Sequence, residues 1–258
     1  MSEFNPVDLE RLGTWPPNVL DFLRAHAEAL RSEKTAEHTY NLAGSLHRLR
    51  NPAPVMRRWR EAEALIAETM VNRELRAFHA TRLVDFNAIH QEGLLRLDFS
   101  RDLERLKRTL AGHLPPERIG DVDAALAKML AADPHFPERE GAVWATPMRR
   151  FLHDGGCEVF FESFGGEAVE RLAGYLGGEL PIALKGIGEP AVVVIRYPVS
   201  GWCAFTDGRL PQSMIELYLE AQGGWEAMDH GWDIMIERDV PPERIEAVVP
   251  ASDPAVQP

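Results

Sequence analysis

The chain has 258 residues, 45% hydrophobic and 26% charged, and its 28 basic side chains stand against 40 acidic ones for a net charge of −12. That balance excludes a disordered or fibrous chain, and it excludes a general nucleic-acid or membrane-surface binder, because phosphate binding needs a basic face. Two cysteines, Cys157 and Cys203, are too few for a disulfide framework, and with no apolar run of spanning length and no leader-like N-terminus they predict a cytoplasmic protein.

Residues 1–72 read as an N-terminal helical segment. Pro16-Pro17 suits a helix start, and Val19, Leu20, Phe22, Leu23, Ala27 and Leu30 follow with helical spacing. A second helix is expected over 35–49, stopped by Asn51-Pro52. A third is expected over 56–71, with Trp59, Ala62, Leu65, Ile66 and Met70 on one side. Arginines concentrate at Arg48, Arg50, Arg57, Arg58 and Arg60. They read either as a solvated helix face or as a phosphate-contacting edge around Trp59.

The pattern then changes. Residues 75–81 alternate as a strand, with Leu75, Ala77, His79 and Thr81 on one face and Arg76, Phe78 and Ala80 on the other. Asp85 opens a short helix that Gly93 closes. Helices follow over 101–110 and 116–130, and 133–137 ends them. Strands are expected over 142–146, 157–161, 191–197, 233–237 and 246–249, with helices over 167–176 and 211–222 between them. The run Pro190-Ala-Val-Val-Val-Ile-Arg-Tyr-Pro198 is apolar on both faces, which predicts a central strand. The order predicts an α+β fold: the helical segment, then a mixed, largely antiparallel β core with flanking helices over 73–250, and a frayed tail over 251–258.

Charge divides along the same line. Residues 1–118 hold 18 basic and 17 acidic side chains, whereas 119–258 hold 10 and 23. The acidic C-terminal half is thus a possible recognition face for a protein partner.

Familiar catalytic signatures (phosphate loops, dinucleotide fingerprints, zinc-protease and nucleophile-elbow motifs) are absent, and neither cysteines nor histidines have metal-ligand spacing. What remains is Phe78-His79-Ala80-Thr81-Arg82-Leu83, followed by Ile89 and Glu92-Gly93-Leu94. His79 and Thr81 share a strand face and can enter one cleft; a lone strand histidine is also compatible with a satisfied core residue. Arg82 requires an anionic partner if buried.

F-H-A-T-R-L followed by I-x-x-x-G-L resembles the first strand and helix of the ADP-ribosyltransferase superfamily. It is similar to the branch holding tRNA 2′-phosphotransferases, poly-ADP-ribose polymerases and DNA-targeting toxins. The chain also resembles a bacterial family that combines H-A-T-R-L with a later G-G-E-A. The resemblance implies NAD as substrate and no metal. It places His79 and Thr81 on the ribose and nicotinamide, Trp144 as the stacking aromatic, and Arg82 or a clustered arginine on the pyrophosphate. The family's late-strand glutamate has no single counterpart: Asp233, Glu226 and Glu167 all compete, the last after Gly165-Gly166, whose backbone a ligand could approach closely. Trp144 also reads as a core aromatic, and Glu167 as an acid favoured by a helix N-terminus.

The implied chemistry is cleavage of the nicotinamide–ribose bond, with a carboxylate stabilising the oxocarbenium ion, and transfer of ADP-ribose to an unidentified macromolecule by a toxin or phage-defence factor. The alternatives are a non-catalytic immunity-type binding protein with an acidic recognition face, and a nucleotide-binding relative without catalysis.

Overall fold

The computed structural model describes residues 5–43, 51–112, 115–132, 140–153, 157–177, 180–199, 203–205, 210–223 and 233–257. In chain order the elements are α1 (Pro17–Leu42), α2 (Arg57–Met70), β1 (Glu74–Leu83), α3 (Phe86–Glu92), α4 (Phe99–Leu110), α5 (Pro116–Ile119) and α6 (Asp121–Ala132). There follow β2 (Val143–Ala145), α7 (Glu158–Glu162), α8 (Gly166–Leu176), α9 (Leu180–Gly186), β3 (Glu189–Pro198), β4 (Cys203–Phe205), α10 (Leu210–Ala221), β5 (Ile234–Ile236) and β6 (Ile245–Pro250). The class is α+β. Among the described residues no helix is long and apolar enough to cross a membrane.

The chain forms two compact units. The first comprises residues 1–75, 198–201 and 207–230, so α10 joins the N-terminal helices. Pro17 occupies the first turn of α1, where its missing N–H costs nothing, and Val19, Leu23 and Leu30 form the buried stripe. The helix runs unbroken to Leu42, joining the first two expected helices where no proline or glycine intervenes. Trp59, Ala62, Ile66 and Met70 are the buried face of α2. No side chain of its own N-cap serves α2; instead the Glu33 carboxylate accepts from the N–H groups of Arg58 and Trp59 at 3.0 and 2.8 Å.

The second unit comprises residues 76–197, 202–206 and 231–258. β3 is the centre of a sheet ordered β1-β3-β6, as its two apolar faces predict, and Ala191 through Ile195 are all buried. β3 and β6 are antiparallel, with Ala191 opposite Pro250 and a register shift between Val194 and Ile195. A smaller antiparallel sheet, β2-β5-β4, sets Trp144 opposite Met235. Reciprocal hydrogen bonds between Phe78 and Thr146, at 2.8 and 2.9 Å, connect the two sheets.

Three expectations change here. Residues 157–161 are not a strand: α7 is helical, its local bonds running from the Phe160 N–H to the Cys157 carbonyl and from the Ser163 N–H to the Val159 carbonyl. A five-residue apolar run carries no decisive period, so packing decides it. The helix expected over 116–130 divides at Gly120, and α9 had no forewarning in the sequence. The expected frayed tail is docked: Asp253 caps a 3₁₀ turn over Pro254–Val256, and Val256, 1% exposed, packs with Phe78, Ala80 and Leu152.

Candidate functional site

β1 presents both faces to neighbours. Leu75, Ala77, Phe78 and Ala80 are buried, while His79 and Thr81, one face apart from Phe78 and Ala80, are half-buried. The Nδ1 of His79 lies 2.7 Å from the Trp144 carbonyl. A carbonyl only accepts, so Nδ1 carries the proton and Nε2 is left as the acceptor of the neutral ring. Burial pushes the imidazole pKa below its ordinary 6.5, and the Trp144 carbonyl opposes that shift without reversing it. A neutral histidine with a fixed tautomer results.

His79, Thr81, Trp144, Glu167 and Asp233 all line one cavity of about 1210 Å³, roughly the upper end of small-ligand sites or beyond. The side chains brought together come from β1, β2, the first turn of α8 and the residue before β5. Glu226 lies outside the described residues.

Glu167 sits at the N-terminal turn of α8 and makes an ion pair with Arg171 at 2.6 Å, one turn on. Asp233 stands near the Cys157 thiol, which burial first, and then the negative charges of Asp233 and Glu158, push up to about 11. The cavity's carboxylates (Asp85, Asp102, Glu158, Glu167, Glu170 and Asp233) outnumber its guanidiniums, Arg82, Arg105 and Arg171. Such a field favours a developing cation and makes a bound dianion depend on a local arginine.

Arg82 does not present a free fork. Its Nε donates to the Ile187 carbonyl at 2.9 Å, Nη1 to Phe161 at 2.6 Å, and Nη2 to Lys185 and Gly188 at 2.8 and 2.6 Å. Four of the five N–H groups that a guanidinium carries are thus committed to main chain. Arg105 is the better-placed cation: it lies on the exposed side of α4 at the cavity wall and has no ion pair among the described residues. The sequence signal that could have found it is the spacing of Asp102, Arg105 and Thr109 beside the apolar stripe of Leu103, Leu106 and Leu110.

The two glycines before Glu167 line the same cavity and also make room for packed side chains. Gly166 has φ +60°, and a Cβ there would meet the Phe160 ring at 2.4 Å. In the other unit Arg57 and Arg60 are exposed and Arg58 is half-buried, while Trp59 between them belongs to the core. Trp59 is 4% exposed and donates to Glu63, while Arg57 and Arg58 both pair with Glu61. Arg48 and Arg50 lie outside the described residues.

No family model, no curated protein and no solved structure matches the chain.

Proposed function

We propose that the protein is an NAD-using enzyme of the ADP-ribosyltransferase type, which cleaves the nicotinamide–ribose bond and passes ADP-ribose to a macromolecular acceptor as a toxin or phage-defence factor. The observation that carries this reading is the convergence of His79, Thr81 and Trp144 with two candidate acids, Glu167 and Asp233, on one cavity. A cytoplasmic site of action fits a chain with two cysteines, of which Cys157 is a free thiol.

The roles follow from the chemistry. The Nε2 lone pair of neutral His79 accepts a hydrogen bond from a ribose hydroxyl, and the Thr81 hydroxyl gives a second anchor. The Trp144 ring offers a stacking face for nicotinamide. Nicotinamide departs with the electron pair of the broken bond, leaving positive charge on the ribose, which a nearby carboxylate stabilises. With Arg82 engaged, Arg105 is the pyrophosphate's partner.

The test is incubation with NAD labelled in the nicotinamide and in the adenosine moiety, comparing the wild type with His79→Ala. Nicotinamide release by the wild type, lost in the variant, supports the reading. Absence of both turnover and binding in the wild type sinks it. Binding without turnover removes the catalytic claim and leaves a nucleotide-binding protein.

A further inference from the structure

We propose that Arg82 is a positioning residue, a clamp that holds the cavity wall bearing Glu167 against the strand bearing His79. The catalytic part of this inference rests on the NAD reading above; the mechanical part stands on the geometry alone.

Arg82 follows His79 by three residues on β1 and reaches three other stretches of chain. Its bond to Phe161 fixes α7, which leads through Ser163, Phe164 and Gly165 into the helix that starts with Gly166 and Glu167. Its bonds to Lys185, Ile187 and Gly188 fix the end of α9 and the entry to β3. A guanidinium that serves a substrate keeps a planar pair of N–H groups open. This one directs four of its five N–H groups at main-chain carbonyl oxygens.

Two further contacts make the clamped pieces a single body. The Phe164 N–H donates to the Leu184 carbonyl at 3.1 Å, joining the α7–α8 connection to α9. Gly188, at φ +66°, lies so close to β1 that an added Cβ would stand 2.8 Å from the Leu83 carbonyl oxygen. That close approach brings the Gly188 carbonyl within reach of Arg82. Releasing the guanidinium leaves α7 and the start of α8 held by the Phe164–Leu184 bond and by the packing of Cys157, Phe160 and Phe161 on the Phe78–Ala80 cluster, so Glu167 is placed less firmly relative to His79 while the sheet itself keeps its ladder.

Cys157 supplies a readout independent of activity. It is the N-cap residue of α7, four residues before Phe161, and lines the same cavity. Alkylation of Cys157 by N-ethylmaleimide at pH 8, followed by peptide mass spectrometry, is compared among the wild type, Arg82→Lys, Arg82→Gln and Gly188→Ala, each checked for a cooperative melt. The clamp predicts about tenfold faster labelling in Arg82→Gln, faster labelling in Gly188→Ala, and an intermediate rate in Arg82→Lys, whose single ammonium keeps some of the bonds. Unchanged rates in the folded variants overturn it. Should Arg82→Gln not fold, Arg82→Lys and Gly188→Ala carry the same comparison.

The catalytic part is read by a double-mutant cycle on nicotinamide release. If Arg82 acts through the Glu167 wall, Arg82→Gln added to Glu167→Gln lowers kcat by less than about twofold further, with KM nearly unchanged. Fully additive losses overturn the positioning role. A wild type that neither binds nor cleaves NAD overturns the NAD reading and this catalytic part, and the labelling rates then decide the clamp alone.

Discussion

The imidazole of His79 is hydrogen-bonded through Nδ1 to the main-chain carbonyl of Trp144, 65 residues further along the chain, at 2.7 Å. The two residues lie on strands of different sheets, so this bond fixes the ring at the seam that the Phe78–Thr146 pair creates. One bond therefore sets both the tautomer and the orientation of the histidine, and both residues line the same cavity.

The first prediction concerns pH. Burial holds the His79 pKa below its ordinary 6.5, so between the folded-state value and 6.5 the unfolded chain binds the proton more readily. The stability contributed by neutral His79 is fully present above 6.5 and is lost as pH falls through that window to the folded-state value. Melting temperatures measured from pH 8 down to 5 should fall more steeply for the wild type than for His79→Gln. Parallel profiles would rule out a histidine held neutral by its surroundings.

The two described acids should separate by substitution. Glu167→Gln and Asp233→Asn are compared for NAD affinity and nicotinamide release. The carboxylate that faces the ribose loses about 10²–10³-fold in release with affinity retained, and the other changes release by less than about tenfold. Losses below tenfold in both variants exclude either acid from the transition state.

Within α8, two glycines should respond with opposite signs. Gly166→Ala introduces a Cβ at positive φ against the Phe160 ring and should cost about 1–3 kcal/mol. At Gly174 a Cβ meets nothing within 4 Å. Gly174→Ala should therefore stabilise by about 0.5–1 kcal/mol, the usual gain of alanine inside a helix. Urea denaturation of both variants reads the difference; a destabilised Gly174→Ala would contradict the open space there.

The C-terminal turn should matter to the core beneath β1. Val256 is 1% exposed among Phe78, Ala80, Leu152, Val192 and Val194. Val256→Ala should cost about 2 kcal/mol by lost burial and the cavity left behind. A urea midpoint indistinguishable from wild type would mean that this turn does not close the core.

Local chemistry was enough to read several elements from the chain itself. The Asp85 carboxylate accepts from the Asn87 N–H at 2.8 Å and Gly93 closes the helix at φ +77°, as the Asp and Gly flanking 86–92 predict. The two apolar faces of 191–195 told of a strand with neighbours on both sides, and β3 has them. The pairing of His79 with Thr81 on one strand face was equally legible, because side-chain period is a property of the backbone. Where the period was too short to decide, as at 157–161, helix and strand were equally available, and packing of Phe160 onto Gly166 accompanies the helical outcome.

The destinations of long side chains were not legible in this way. Arg82 looked like an anion-binding fork because the sequence shows its charge and not its surroundings; its acceptors lie 79 to 106 residues away. At Gly165-Gly166, which do line the cavity, the sequence shows a missing Cβ and not what packs in its place, the Val169 side chain at the first and the Phe160 ring at the second. The grouping of α10 with the N-terminal helices, and the placing of Trp144, Glu167 and Asp233 along the cavity that His79 lines, likewise depend on contacts between distant segments. Period, caps and burial preference act over one turn or one strand, so this sequence determined its α+β elements and named His79. Hydrogen-bond partners and shared cavities act across the fold, and only the folded chain assigned Arg82 to main-chain carbonyls and two acids to the histidine's cavity.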